Sequence, residues 1–271
     1  MMLLYAKGFE KQGDINMKMR WRMALTFPIA LAMVIVTGCL GTDDEDENAV
    51  TEGTLLVYQL NDRTLGEGTG RVTIIDHEEI LNGMDVSVEN MNISFGEYHN
   101  EDEGPYFQYS TAVGTRHFGK APGSFGELVG SEMTWEHSYR SDESANWTLY
   151  RMVTEWDITY SNEAPSEIDV GSEFTMEGVK KYHNLHYVDG DLAQEENDEE
   201  NVSVTYKVLE RIDVEVLSGT FDCYKVRVDT EGSEPYEIRY FAIHEGISVK
   251  GDVFEDDEIT YHEELITLQR P

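Results

Sequence analysis

Apolar and polar residues alternate with a period of two along most of the chain from Thr54 onward. Such alternation places neighbouring side chains on opposite faces of a β-strand, whereas helical positions repeat every 3.6 residues. About twelve alternating segments, separated by turn residues, predict a mainly β domain. We expect antiparallel strands in an open (half) barrel or a curved sheet of about 10–12 strands, with few short helices.

The clearest hairpin lies in the middle of the chain, around the turn-rich residues 141–144. One face of its two strands carries large aromatic and apolar side chains, namely Trp135, Tyr139, Tyr150, Met152 and Trp156. The opposite face of the return strand carries Arg151, Glu155 and Asp157, which predicts one buried and one wet face. The aromatic face is either a core covered by a second layer or a concave surface that binds an apolar or amphipathic ligand.

Three stretches interrupt the alternation. Asn82-Gly83 predicts a tight hairpin turn, which we prefer to a helix beginning at Asp76. Residues 114–130 contain five glycines and predict a mobile loop. Residues 189–201 (DGDLAQEENDEEN) predict a second, very acidic loop that associates weakly with cations, although it lacks the glycine and the flanking helices of an EF-hand.

The first 38 residues have the features of a secretory signal. Basic residues at Lys18, Arg20 and Arg22 precede an apolar run from Met23 to Val36. That run of about 14 residues is shorter than the roughly 20 that a membrane-spanning helix needs.

Residues 36–39 read Val-Thr-Gly-Cys and resemble the lipobox of bacterial and archaeal lipoproteins. The resemblance implies that residues 1–38 are removed and that Cys39 carries a lipid. Residues 39–50 would then form an acidic tether, and residues 51–271 a single β-rich domain held on the outer face of the cytoplasmic membrane. The alternative is an uncleaved N-terminal anchor in which Cys39 has no role.

The chain is strongly acidic, with a formal net charge of −34. Removal of residues 1–38 takes away five Lys/Arg and two Asp/Glu and leaves 15 basic and 52 acidic residues. High salt screens the self-repulsion of such a charge, so the composition favours a halophilic archaeal source, with calcium binding or repulsion from anionic surfaces as alternatives. Nucleic acid is excluded as a partner because clustered Lys/Arg is lacking.

The motifs indicate no catalytic residues, no cofactor and no metal site, and we therefore expect a protein that is not an enzyme. Cys223 lies in a strand-like run, where a free cysteine behaves as a small buried hydrophobe. His183 and His186 face opposite sides if they lie on a strand. Glycosylation sequons occur at Asn92, Asn146 and Asn201.

Residues 214–226 (VEVLSGTFDCYKV) and the later Gly246-Ile247-Ser248-Val249-Lys250 resemble a hairpin and strand of uncharacterised envelope lipoproteins. Those domains are related to the LolA/LolB and LppX lipid carriers, which enclose an acyl-chain cavity in a half-closed barrel. The resemblance covers about 60 residues in structural positions, so it implies a fold more than a function. The helices that plug the carriers' cavity are not evident here.

Three functions follow from these observations. The leading hypothesis is a non-enzymatic surface lipoprotein that binds an apolar or amphipathic ligand, such as a lipid, or another envelope component. The alternatives are an interaction module without a ligand cavity and, third, a metal-dependent hydrolase.

The lipobox interpretation predicts the behaviour of the Cys39→Ser variant. Loss of the lipidated thiol should release the protein from membranes or leave it unprocessed, while residues 50–271 remain folded. Membrane fractionation with immunoblotting, together with circular dichroism of the released protein, measures both outcomes. Failure of the isolated domain to fold without the anchor segment would contradict our division of the chain.

Overall fold

A computed structural model describes residues 50–271, apart from 82–83, 100–105, 120–124, 126–127, 142 and 166. Every regular element in this part of the chain is a β-strand, so the expectation of a few short helices is wrong for these residues. No helix there is long and apolar enough to cross a membrane. The strands are β1 (Leu55–Asp62), β2 (Gly66–Leu81), β3 (Met84–Phe95), β4 (Tyr98–His99), β5 (Tyr106–Gly119), β6 (Leu128–Arg140), β7 (Thr148–Tyr160), β8 (Glu173–Val188), β9 (Asp191–Val216), β10 (Gly219–Thr230), β11 (Tyr236–Ala242), β12 (Ile247–Glu255) and β13 (Glu258–Gln269).

Twelve of these strands form a closed antiparallel barrel, and the two-residue β4 pairs only with the start of β5. Neighbours in the chain are neighbours in the barrel, and β1 pairs with β13. Closure is completed by β3, whose residues 86–95 pair with residues 110–119 of β5. The mainly β, antiparallel prediction is confirmed, but the open half barrel is wrong. Alternation indicates that a stretch is a strand with two unlike faces, but it does not show whether the strands at the two edges of the sheet pair with each other.

The hairpin between β2 and β3 is confirmed. Leu81 pairs with Met84 across the predicted turn, and Asp76 lies in β2 opposite Val88 rather than in a helix. A strand is favoured here because β3 is held on both sides, by β2 and by β5.

Strand β7 shows how the sequence divides the inside of the barrel from the outside. Met152 and Ile158 are buried on the inner face, whereas Arg151 and Glu155 are exposed on the outer face. The prediction of one buried and one wet face is therefore confirmed for this strand.

Phe125 fills the barrel at the end where β5 turns into β6. Its fully buried ring is stacked with the rings of Phe174 and Tyr206. The centroid of the Phe241 ring lies 5.1 Å from that of Phe125. Residues 114–119 and 128–130, on either side of it, belong to β5 and β6. The prediction of a mobile loop over 114–130 is wrong for these parts, because they pair with neighbouring strands of the barrel.

Strand β9 is the longest element of the barrel, with 26 residues. It begins at Asp191, directly after a turn at Asp189 and Gly190, so the predicted acidic loop over 189–201 is instead a turn and a strand. Asp189 holds this turn in place, because its carboxylate accepts a 2.9 Å hydrogen bond from the backbone N–H of Leu149 in β7. The first part of β9 was not recognisable in the sequence, because its residues are mostly acidic and the apolar alternation of the strand starts only at Val202.

The signal peptide, Cys39 and nearly all of the tether at residues 39–50 lie outside the described residues. The lipobox and the division into tether and single domain therefore stay predictions.

The Phe125 cluster predicts the effect of the Phe125→Ala variant. Removal of a fully buried ring should lower the free energy of unfolding by about 3–5 kcal/mol. Urea denaturation followed by circular dichroism measures this loss. Leu217→Ala is the control, since Leu217 is 76% exposed and its truncation should change stability by less than about 0.5 kcal/mol. Equal effects of the two variants would contradict the placement of Phe125 in the core.

Candidate functional site

The five residues of the predicted aromatic face all lie on the inner wall of the barrel, on β6 and β7. Trp135 and Met152 are directly opposite one another across the two strands, and both are 2% exposed. Tyr139, Tyr150 and Trp156 are only partly buried. The set therefore divides into a buried pair and three rings that keep some contact with solvent.

Polar side chains on the same wall lie between these rings. His137 pairs across the strands with both Ser110 of β5 and Tyr150 of β7, and Ser110 Oγ lies 2.6 Å from its Nδ1. The Tyr150 hydroxyl lies 2.5 Å from Nδ1 of His186 on β8. The wall is thus amphipathic: aromatic rings alternate with groups that donate and accept hydrogen bonds.

Two nitrogens on this wall have no hydrogen-bond partner among the described residues. They are the indole Nε1 of Trp135 and the Nε2 of His186. The nearest carboxylate oxygen to the latter, on Glu196 of β9, is 3.8 Å away and too distant for a hydrogen bond. Buried polar groups are nearly always hydrogen-bonded. An unbonded indole N–H therefore marks a place where it can donate a hydrogen bond to a water molecule or a ligand atom.

The Ser110–His137 pair does not have the properties of a nucleophile and its base. Ser110 is fully buried, so a substrate in solution does not reach its hydroxyl. Burial lowers the pKa of His137 to about 4, which leaves a weak base at neutral pH. We interpret this pair as a structural hydrogen bond across the wall.

Cys223 does not have the surroundings of a reactive thiol, and His183 and His186 do not form a metal-binding pair in the described part of the chain. Cys223 is fully buried, and burial, assisted by the charge of Asp222, raises the pKa of its thiol to about 12. Its thiol therefore stays protonated and unreactive. His183 and His186 are on opposite faces of β8, and no group of three metal-ligating side chains occurs within the described ranges.

A cluster of buried charged residues inside the barrel is the main feature that sequence reasoning missed. Arg116 of β5 lies across from Glu89 of β3, and both are 1% exposed. On β11, the guanidinium of Arg239 donates a 2.6 Å hydrogen bond from Nε to the carboxylate of Glu237. Glu263 of β13 completes the cluster at 1% exposure.

Burial shifts the pKa values of three members of this cluster, Glu263, Arg116 and Glu237, toward their neutral forms. It raises the pKa of Glu263 to about 8, against the opposing charges of Arg239 and Arg116. It lowers the pKa of Arg116 to about 10, although Glu89 and Glu263 favour its charged form. The pKa of Glu237 is also raised, because burial outweighs its ion pair with Arg239. The barrel thus encloses charges whose mutual attraction only partly offsets their loss of hydration.

The alternation of inward and outward positions along a strand contains a sequence signal for these buried charged residues. Glu89 continues backward the buried series of Met91, Ile93 and Phe95. Gly251 lies opposite Glu263, and a Cβ atom there would be 3.0 Å from its carboxylate oxygen. A charged residue in phase with buried apolar residues, facing a glycine, therefore marks an enclosed ion.

No family model matches the chain, and no curated protein has a significantly similar sequence. Solved structures with a distant likeness include a provisionally assigned exported protein with a YmcC-like fold from Bacteroides fragilis (TM-score 0.38, 12% identity, 82% of this chain and 98% of that chain). A provisionally assigned lipoprotein from Parabacteroides distasonis follows (0.33, 11%, 82% and 97%). The third is a β-barrel-like domain of unknown function, DUF1849, from Brucella abortus (0.34, 9%, 82% and 98%). Likeness at this level carries no inference about this chain.

The charge cluster predicts how the Glu263→Gln variant responds to pH. The pKa of Glu263 is higher in the folded than in the unfolded protein, so its contribution to stability is complete below about pH 4.5 and is lost as pH rises toward 8. Glutamine removes this loss, and the variant should gain about 3 kcal/mol relative to wild type between pH 5 and pH 8. Urea unfolding at both values measures it. Glu264→Gln, on the outer face of the same strand, is the control, and an equal gain there would contradict the assignment.

Proposed function

We propose that the protein is a non-enzymatic lipoprotein, anchored through Cys39 to the outer face of the cytoplasmic membrane, whose barrel binds an amphipathic ligand. The lipobox-like Val-Thr-Gly-Cys supports export and anchoring, and the charge of −34 supports a halophilic archaeal habitat. The proposed site is the inner wall of β6 and β7, at Trp135, Tyr139, Tyr150, Met152 and Trp156.

The unbonded indole N–H of Trp135 carries this proposal. It is a buried donor on a wall whose other aromatic rings, those of Tyr139, Tyr150 and Trp156, are partly open to solvent. Ligand pockets typically combine an apolar lining with a few placed polar groups. The partly exposed rings of Tyr139, Tyr150 and Trp156 would contact the apolar part of a ligand, while Trp135 would donate to a polar atom near its head.

An interaction module without a ligand cavity is the second candidate, and the packing of the core favours it. The end of the barrel near Phe125 is filled by side chains, and the charge cluster occupies part of the interior. In such a protein the aromatic wall would serve only as core. The two functions differ in whether an amphipathic molecule is bound at the open rings.

Native mass spectrometry of full-length protein extracted from membranes distinguishes them. We expect a co-purifying lipid-like molecule, and we expect Trp156→Ala to lower its affinity about tenfold, which corresponds to about 1.4 kcal/mol for one aromatic contact. Competition with a dansylated fatty acid measures the change. Trp135→Phe keeps an aromatic ring but removes the N–H, and it should weaken binding of the same probe.

Trp147→Ala is the matched control, because Trp147 lies in the exposed turn before β7 and its ring contacts the guanidinium of Arg140. This variant should bind the probe as wild type does. Circular dichroism checks that all three variants are folded. Absence of both a co-purifying molecule and dansyl-probe binding would contradict ligand binding and support the interaction module.

A further inference from the structure

The first half of β9 has a strand on one side only. Residues 191–207 pair with β8, whereas β10 pairs with residues 204–216. The stretch 191–203 therefore has no partner strand on its second side among the described residues. We name it the β9 edge.

Backbone groups of the β9 edge point into this open side at every second residue. The carbonyl of Ser203 accepts a 2.9 Å hydrogen bond from the N–H of Glu231, which lies after β10, so it points away from β8. Its cross-strand neighbour Glu177 likewise directs its carbonyl away from β9, to the N–H of Ser161. The β8–β9 register is continuous from Gln194 to Ser203. Because orientation alternates along an antiparallel strand, the outward groups belong to Glu195, Asn197, Glu199 and Asn201.

The side chains of the β9 edge determine which strand could pair with it. Residues 191–203 contain six carboxylates and no lysine or arginine. Three carboxylates have a basic neighbour on β8, with Glu200 3.4 Å from Lys180, Glu195 3.1 Å from His183 and Glu196 3.8 Å from His186. Asp191, Asp198 and Glu199 have no ion pair within the described part of the chain. Both faces of an added strand would therefore meet negative charge.

This charge excludes two occupants. A second copy of the chain would bring its own acidic β9 edge against this one, and like charges on directly opposed strands are destabilising. Residues 43–47 of the same chain read Asp-Asp-Glu-Asp-Glu and would be repelled in the same way. An acidic edge also prevents indiscriminate pairing of strands, so the strand that it accepts must supply positive charge.

We propose that the β9 edge binds an extended, lysine- or arginine-rich segment of another protein, which adds to the barrel wall as a further antiparallel strand. Main-chain hydrogen bonds to Glu195, Asn197 and Glu199 would provide affinity, and the carboxylates on both faces would select basic side chains. A groove of about 550 Å³, lined in part by Asn201, Ser203 and Glu231, adjoins the edge at the point where β10 begins to pair. This surface lies outside the barrel, and its assignment does not rest on the ligand proposed above.

The test uses the full-length protein and a fluorescent nine-residue peptide in which lysine and valine alternate. We expect saturable binding by fluorescence anisotropy and slower amide hydrogen exchange confined to residues 191–203. The same peptide with alternate backbone N–H groups methylated keeps its charge but loses its donors, and its Kd should be at least tenfold higher. Equal binding of the two peptides would show adhesion by charge alone and would overturn strand addition.

Variants separate the contributions of backbone and charge. Asn197→Pro removes one outward N–H but no hydrogen bond to β8, because proline is tolerated where a strand N–H faces solvent, and it should raise the Kd about tenfold. Glu195→Gln with Glu199→Gln should weaken binding at low salt, whereas Glu67→Gln with Glu215→Gln, the same charge change on other strands, should not. Circular dichroism verifies folding. An unchanged Kd for the folded Asn197→Pro variant would contradict the proposal.

Discussion

The pairing of β3 with β5 closes the barrel and so creates an interior that is shielded from solvent. Without it, the remaining strands would form a curved sheet with two free edges, and Glu89 and Arg116 would face solvent. With it, these two residues lie opposite one another at 1% exposure. The same closure places Trp135 and Met152 in the core. Ion burial and aromatic packing therefore both depend on a single ladder of cross-strand hydrogen bonds.

Closure around charges has an energetic cost that the cluster only partly offsets. Glu237 is bonded to Arg239, yet burial still raises the pKa of its carboxyl, and burial likewise raises the pKa of Glu263. A buried ion pair contributes less to stability than apolar side chains of the same volume, because both ions lose their hydration. Small residues such as Gly251 leave the room that these ions occupy. The interior thus combines an apolar end around Phe125 with a polar region that is sensitive to pH.

The sequence predicts the strands better than their faces, as β7 and β11 show. On β7 the aromatic alternation correctly identifies the inner face. On β11 the apolar residues Tyr236, Ile238 and Tyr240 are only partly buried, whereas Glu237 and Arg239 are buried among the inner residues. Alternation gives the period of a strand but not its phase once ions face inward. Closure depends on contacts between strands that are not consecutive in the chain, and it leaves no local pattern. The extension of β9 follows a tight Asp189-Gly190 turn after β8, and the acidic residues around that turn obscured it in the sequence.

The β9 edge and the aromatic wall belong to the same part of the barrel, and this has a physical consequence. β9 pairs with β8, β8 with β7, and β7 with β6, so the edge is two strands away from Met152. Glu196 links the two surfaces, because it lies on the edge strand and its charge favours protonation of His186 against the effect of burial. A basic strand added at the edge would neutralise that carboxylate and weaken this effect. The hydrogen bond between His186 and Tyr150 would then respond to what the edge binds, which couples a surface outside the barrel to a ring on its inner wall.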